Sequence, residues 1–164
     1  MERLIIMRHA IAQPRETPGI EDDARVLIPK GKKRLRTIAR GLLKLELDLD
    51  KIIASPLPRT RETAEILARE LGLEENVEFD DVLRPSSDAA TIRDWIHTRS
   101  EERLLIVGHD PAVSHLTGLL VTGDHSRPIF SLRKGGVVAF RAHPDGGFQL
   151  EWLARPRLFR RLQV

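Results

Sequence analysis

Short apolar runs alternate with amphipathic stretches along most of this chain, and that order limits its possible folds more than any other feature. Strands are expected near residues 4–7, 51–54, 77–79 and 104–107. Between and after them, helical patterns run from about 30 to 47, 58 to 71, 89 to 97 and 111 to 121. Such alternation predicts α/β layers around a largely parallel sheet. The end of the chain differs. Residues 137–141 and 148–153 flank His143-Pro144-Asp145-Gly146-Gly147, a turn sequence, so the last two strands are expected to form an antiparallel hairpin. With 164 residues, 41% of them hydrophobic, the chain fits one domain spanning 1–164, without internal repeats or a low-complexity linker. Two irregular stretches, 13–29 and 122–136, are rich in Pro, Gly, Asp and Ser; they read equally as walls of a binding site or as plain connections.

Composition removes several functions. There is no cysteine, which excludes disulfides, thiolate catalysis and cysteine-ligated metals. A net charge of +3 and a basic tail over 155–161 suit anionic ligands. Aromatic residues make up 4% with no tyrosine, so stacking platforms for single-stranded nucleic acid are scarce and no nucleic-acid partner is expected. No apolar run has membrane-spanning length, and residues 1–6 are too short for a secretory core before Arg8. A soluble, cytoplasmic protein with no membrane partner is therefore expected.

Three motifs follow the ends of expected strands: Arg8-His9-Ala10, the stretch from Ser55 through Arg59 and Thr63 to Ala64, and Val107-Gly108-His109-Asp110-Pro111. In open α/β sheets, ligands bind beyond the carboxyl ends of parallel strands, so one sheet edge should gather all three. Asp110 before Pro111 reads as an N-cap followed by proline at the first helical position, holding His109 at the strand–helix junction. Arg8 and Arg59 can each give paired N–H bonds to a phosphoryl group. They also repel divalent cations, which disfavours a metal set of His9, His109 and Asp110; neither metal nor cofactor is expected. Without cysteine, histidine is the best available nucleophile.

Together, Met7-Arg8-His9-Ala10, Ser-Pro-x-x-Arg-x-x-x-Thr-Ala and Gly-His-x-Pro resemble the histidine phosphatase superfamily. The short length, the segment from Asp23-Ala24-Arg25 to Lys30-Gly31, and residues 107–111 look most like its SixA-type phosphohistidine phosphatase branch. The resemblance implies a phosphoglycerate mutase-like, three-layer αβα sandwich. It also implies that His9 is the nucleophile, forming a phosphohistidine that water hydrolyses, and that Arg8, Arg59 and His109 surround the transferred phosphoryl. The other ring nitrogen of His9 is expected to donate to a backbone carbonyl and fix the tautomer.

Larger members of the superfamily carry a glutamate acid after the third strand, with an insertion beside it. Here residues 80–87 contain no glutamate. An alkoxide leaving group needs a proton donor, whereas phosphohistidine releases a readily protonated nitrogen base. The expected substrate is thus phosphohistidine on a signalling or phosphotransfer protein, admitted to a site left open by the missing insertion. Two alternatives stand beside it: a broad phosphomonoesterase for small phosphorylated substrates, and a phosphate-recognising binding module without turnover. Asp22, Asp23, Asp81 and Asp88 are candidate acids, each read rather as a cap, turn or surface carboxylate. His97, His125 and His143 read as solvated or capping, and His115 as core packing. Arg61 is expected in solvent, Arg84 is undecided, and Arg25 either lines the pocket rim or does not. Trp95 and Trp152 read as core or interface anchors.

Overall fold

The computed structural model describes residues 1–124, 126 and 129–162, and of Arg160 the backbone alone; His125 lies outside this set. Six strands form one mixed sheet: β1 Arg3–Arg8, β2 Lys51–Ala54, β3 Val77–Phe79, β4 Arg103–Gly108, β5 Val137–Ala142 and β6 Phe148–Ala154. Their order is β3-β2-β4-β1-β5-β6. The first four run parallel, and β5 and β6 close the sheet as the expected antiparallel hairpin. Five α-helices cover it: α1 Pro29–Leu43, α2 Pro58–Leu71, α3 Ala89–His97, α4 Ala112–Thr122 and α5 Pro156–Arg161.

The strand sequences explain the layering. Successive side chains of a strand point to opposite faces. On β1, Ile5 and Met7 join the core beneath α1, α2 and α5, while Leu4 and Ile6 join the core beneath α3 and α4; all four are fully buried. A strand covered on both faces reads as a continuous apolar run, which is why 4–7 and 104–107 carry no alternation. The fold is α/β with helices on both faces, as expected.

Two boundaries differ from the sequence reading. Helix α1 stops at Leu43 instead of 47. Glu46 and Asp48 have φ of 48° and 49°, and buried Leu47 packs into the core from this irregular stretch. Leucines at 43, 45, 47 and 49 alternate with charged residues, a period of two that a helix cannot place on one face. At the other boundary, α4 begins one residue later, with Pro111 at the N-cap after a cis Asp110–Pro111 bond. Asp110 therefore does not cap α4. Its carboxylate accepts from the Ser114 hydroxyl and lies 3.7 Å from Arg8, partners that include a full positive charge.

Candidate active site

The parallel order places the ends of β1, β2 and β4 side by side, with Arg8 paired to Gly108 and Ala54 to Val107. His9, Ser55 and His109 follow those ends directly. His9 and His109 are each 4% exposed, and their ring centroids are 5.3 Å apart. Arg59, in the first turn of α2, is 2% exposed. Together with Arg8, Arg25 and Lys134 they line a cavity of about 690 Å³. The four residues singled out from sequence are thus brought together.

Local bonding fixes each of them. The His9 amide donates to Gly108 O at 3.0 Å, and the Gly135 amide donates to the carbonyls of both Arg8 and His9. One residue on, the Ala10 amide donates to Thr63 Oγ1 at 3.1 Å, and that hydroxyl donates to the Arg59 carbonyl at 2.6 Å. The spacing of Arg59 and Thr63 is explained here: four residues along a helix put the hydroxyl over the carbonyl of the preceding turn. His9 Nδ1 lies 2.8 Å from Ala10 O, the carbonyl contact expected from sequence. A carbonyl can only accept, so Nδ1 carries the hydrogen and Nε2 keeps its lone pair.

His109 Nε2 lies 2.9 Å from Ser55 Oγ, while its Nδ1 is buried without a protein partner. Arg8 is held through Nη1, and Arg59 through both Nη1 and Nη2. Nη1 of Arg8 donates to Leu132 O, and Nη1 of Arg59 donates to Asp22 O, both at 2.8 Å. The Nε of each is buried and without a hydrogen-bond partner. Three residues that line the His9 cavity thus each carry a buried nitrogen without a partner among the described residues, and such groups are rare and costly. Burial and the nearby arginines push His9 down to about 3 and His109 down to about 2, so both imidazoles are neutral at physiological pH.

The loop over 13–29 forms one wall, resolving the choice the sequence left open. Arg25, undecided above, is 3% exposed and donates to Gln13 O and to Asp22. Asp22 is more than a surface turn: its carboxylate reaches Arg15, Arg25 and Arg59 at 2.9 to 3.4 Å. The other carboxylates keep modest roles. Asp88 caps α3, Asp81 pairs with Arg84, and Asp23 also meets Arg84 at 3.8 Å. Arg84 is thereby engaged outside the pocket. Arg61 is half exposed and lies over the Phe79 ring. His97 is exposed at the end of α3, His143 pairs with Asp145, and His115 is half-buried. Trp95 donates from Nε1 to Asp80 at 3.0 Å and packs beside the α3–α4 core, while Trp152 packs on the opposite core.

Lys134 escaped the sequence reading. Among the described residues it has no carboxylate or hydrogen-bond partner; it lines the same cavity as Arg8, Arg25 and Arg59, and burial, then Arg8, lowers it below the ordinary lysine value. Its loop has no periodicity to betray it; the only hint is its place before Gly135-Gly136 and β5, the strand beside β1. Among the described residues, no group of three or more His, Cys, Asp or Glu side chains could hold a metal ion.

Comparison with known proteins agrees with this geometry. Residues 4–85 match the model of the histidine phosphatase superfamily (branch 1), and the chain belongs to that family. It is 33% identical over 143 residues to an uncharacterized protein of Picosynechococcus sp., covering 85% of this chain and 84% of the relative. It is 24% identical over 157 residues to the phosphohistidine phosphatase SixA of Escherichia coli, covering 94% of each, which places its likeness in the SixA-type branch. A solved structure of the protein histidine phosphatase SixA complexed with tungstate superposes with a TM-score of 0.82 at 22% identity, over 95% of this chain and 98% of that one. Membership makes a phosphatase, a hydrolase acting on a phosphorylated substrate, the supported class. No described helix is long and apolar enough to cross a membrane.

Proposed function

We propose that the chain, acting as one catalytic domain over 1–164, removes phosphoryl groups from phosphohistidine on a cytoplasmic signalling or phosphotransfer protein. The observation that carries the reading is His9, its Nδ1 engaged by Ala10 O and its Nε2 left with a lone pair, in one cavity with Arg8, Arg59 and His109. Nε2 attacks phosphorus; the Nε2–P bond forms as the substrate's N–P bond breaks, and the leaving imidazole nitrogen takes a proton from solvent water. Water then attacks the phosphoryl on His9, releasing phosphate and returning the lone pair to Nε2. Arg8 and Arg59 stabilise charge on the equatorial oxygens, where most of the catalysis of phosphoryl transfer lies. Ser55 donates its hydroxyl hydrogen to His109 Nε2, so that Nδ1–H serves as a third donor to the same oxygens.

The choice of phosphohistidine rests on the segment after β3, which places no acid at the cavity; of the carboxylates that do line it, Asp110 is held by Arg8 and Ser114 and Glu16 is exposed. Of residues 80–87, the cavity is lined only by Pro85. Asp80 is committed to Val82 N and Trp95, and Asp81 to Arg84. A nitrogen leaving group tolerates that arrangement better than an alkoxide. The test compares turnover of a phosphohistidine carrier domain with a panel of phosphomonoesters, and follows trapped enzyme by phosphorus NMR. The carrier should turn over faster, with an acid-labile, base-stable signal from phospho-His9. Faster turnover of the esters would assign the broad phosphomonoesterase role instead.

A further inference from the structure

Most described arginines have a carboxylate within 4.0 Å. The exceptions are Arg34, Arg69, Arg133, Arg155, Arg157 and Arg161. Four of those exceptions, Arg34, Arg133, Arg155 and Arg157, line one cavity of about 300 Å³. They come from three separate segments: α1, the loop before β5, and the start of α5. All four are exposed. Elsewhere on α1, Arg36 and Arg40 share Glu70. Here like charges are gathered with no carboxylate of the described residues beside them, which lowers stability unless an anion is bound.

The gathering is built into the packing. Phe159 of α5 is buried against Gly41 of α1, where an added Cβ would come within 2.8 Å of the ring. That close approach holds the start of α5 beside Arg34. A neighbouring cavity of about 430 Å³ shares Arg34, Arg133 and Pro156 with the arginine cluster and reaches Ile11 and Lys134, which also line the His9 pocket. Its walls are mainly apolar, with Ala10, Ile11, Leu35 and Ile38 contributing. From His9 outward the surface therefore runs from cationic to apolar to cationic.

We propose that this trough docks an acidic segment of the substrate protein. The phosphoryl enters the His9 pocket, an apolar side chain of the partner lies in the middle section, and its Asp or Glu side chains meet Arg34, Arg133, Arg155 and Arg157. The proposal rests on the phosphoprotein reading above and adds where and how that partner is recognised. An apolar middle section favours a polypeptide over a polynucleotide or polyphosphate, whose charges repeat without interruption. Bidentate guanidinium–carboxylate pairing supplies the chemistry, and complementary charge acts chiefly on encounter and specificity.

The test uses the full chain, a substitution set of Arg34→Gln, Arg155→Gln and Arg157→Gln, and two peptides. Each peptide carries phosphohistidine, then leucine, then three glutamates or three lysines; phosphoramidate serves as a substrate too small to reach the cluster. At low salt the glutamate peptide should show kcat/KM about tenfold or more above the lysine peptide. The substitutions should erase that gap through KM, and 0.5 M salt should erase it in the unaltered protein. Turnover of phosphoramidate should not change in the variant. Equal kcat/KM for the two peptides in the unaltered protein overturns the docking surface and leaves the phosphohistidine reading standing. If neither peptide is hydrolysed while phosphomonoesters are, the reading of function falls. Docking is then decided by binding of the unphosphorylated glutamate peptide, whose equal affinity for protein and variant overturns it. Tighter arginine-dependent binding of single-stranded DNA or anionic vesicles than of that peptide also overturns the choice of an acidic protein partner.

Discussion

The two ends of the β-sheet carry the same kinds of cation and treat them in opposite ways. At the end where the parallel strands begin, Lys51 and Arg99 share Glu78 and Glu101, and Arg103 meets Asp48 and Asp50. Hydrogen bonds to these carboxylates raise all three cations above their ordinary values, with Glu101 first for Arg99 and Lys51 and Asp50 first for Arg103. Glu101 in turn is held down to about 2, chiefly by Arg99. At the end where those strands finish, burial lowers Arg8, Arg59 and Lys134, and neighbouring cations add to the effect. One end is neutralised within the chain and serves the fold. The other is left short of negative charge, as a binding site for an anion must be.

The strongest way to break that contrast is to remove His9, the proposed nucleophile. His9→Ala should lower turnover at least about ten-thousandfold with an unchanged circular dichroism spectrum. Retained turnover would separate the electropositive end from catalysis. Next in size, Arg59→Gln should lower kcat/KM by about 100- to 1000-fold. Its melting temperature should change little, because relief of a buried cation beside Arg25 and Arg15 offsets the lost bonds to Asp22. A large loss of stability without loss of activity would make this end structural after all.

Acid provides the third test. His9 and His109 are neutral in the fold at about 3 and 2, whereas in the unfolded chain they take up protons near the ordinary value of 6.5. The unfolded state therefore binds more protons below that value. Their contribution is fully present above about pH 7 and declines as pH falls toward the folded values, by about 1.4 kcal/mol per unit for each group. Urea titrations between pH 7 and 5 should show the decline, and His109→Gln should flatten it. The smallest effect belongs to the neutralised end: Glu101→Gln should cost about 1–2 kcal/mol of stability and leave kcat/KM intact. If activity fell with it, the two ends would be coupled.

Much of this contrast was legible before folding, though unevenly. The bounds of α2, β3 and α3 follow from periodicity and caps, and the three motifs fall at strand ends as their spacing implies. Arg8, His9, Arg59 and His109 could be assembled because a parallel sheet converts separate strand ends into neighbours. Arg25, Asp22 and Lys134 could not. Their loops have no period, and their meaning depends on which charges the chain brings opposite them. The same holds for Asp110, whose expected capping role is displaced by Arg8, a residue distant in sequence.

The hydroxyl of Thr63 has a consequence for the energetics of turnover. It accepts from the Ala10 amide and donates to the Arg59 carbonyl, so the strand end presenting His9, the proposed nucleophile, and the helix presenting the Arg59 guanidinium are fastened at one atom. Their relative placement is settled during folding and needs no rearrangement when charge shifts onto the phosphoryl oxygens. Reorganisation energy, which water must supply anew in every uncatalysed event, is here spent before substrate arrives.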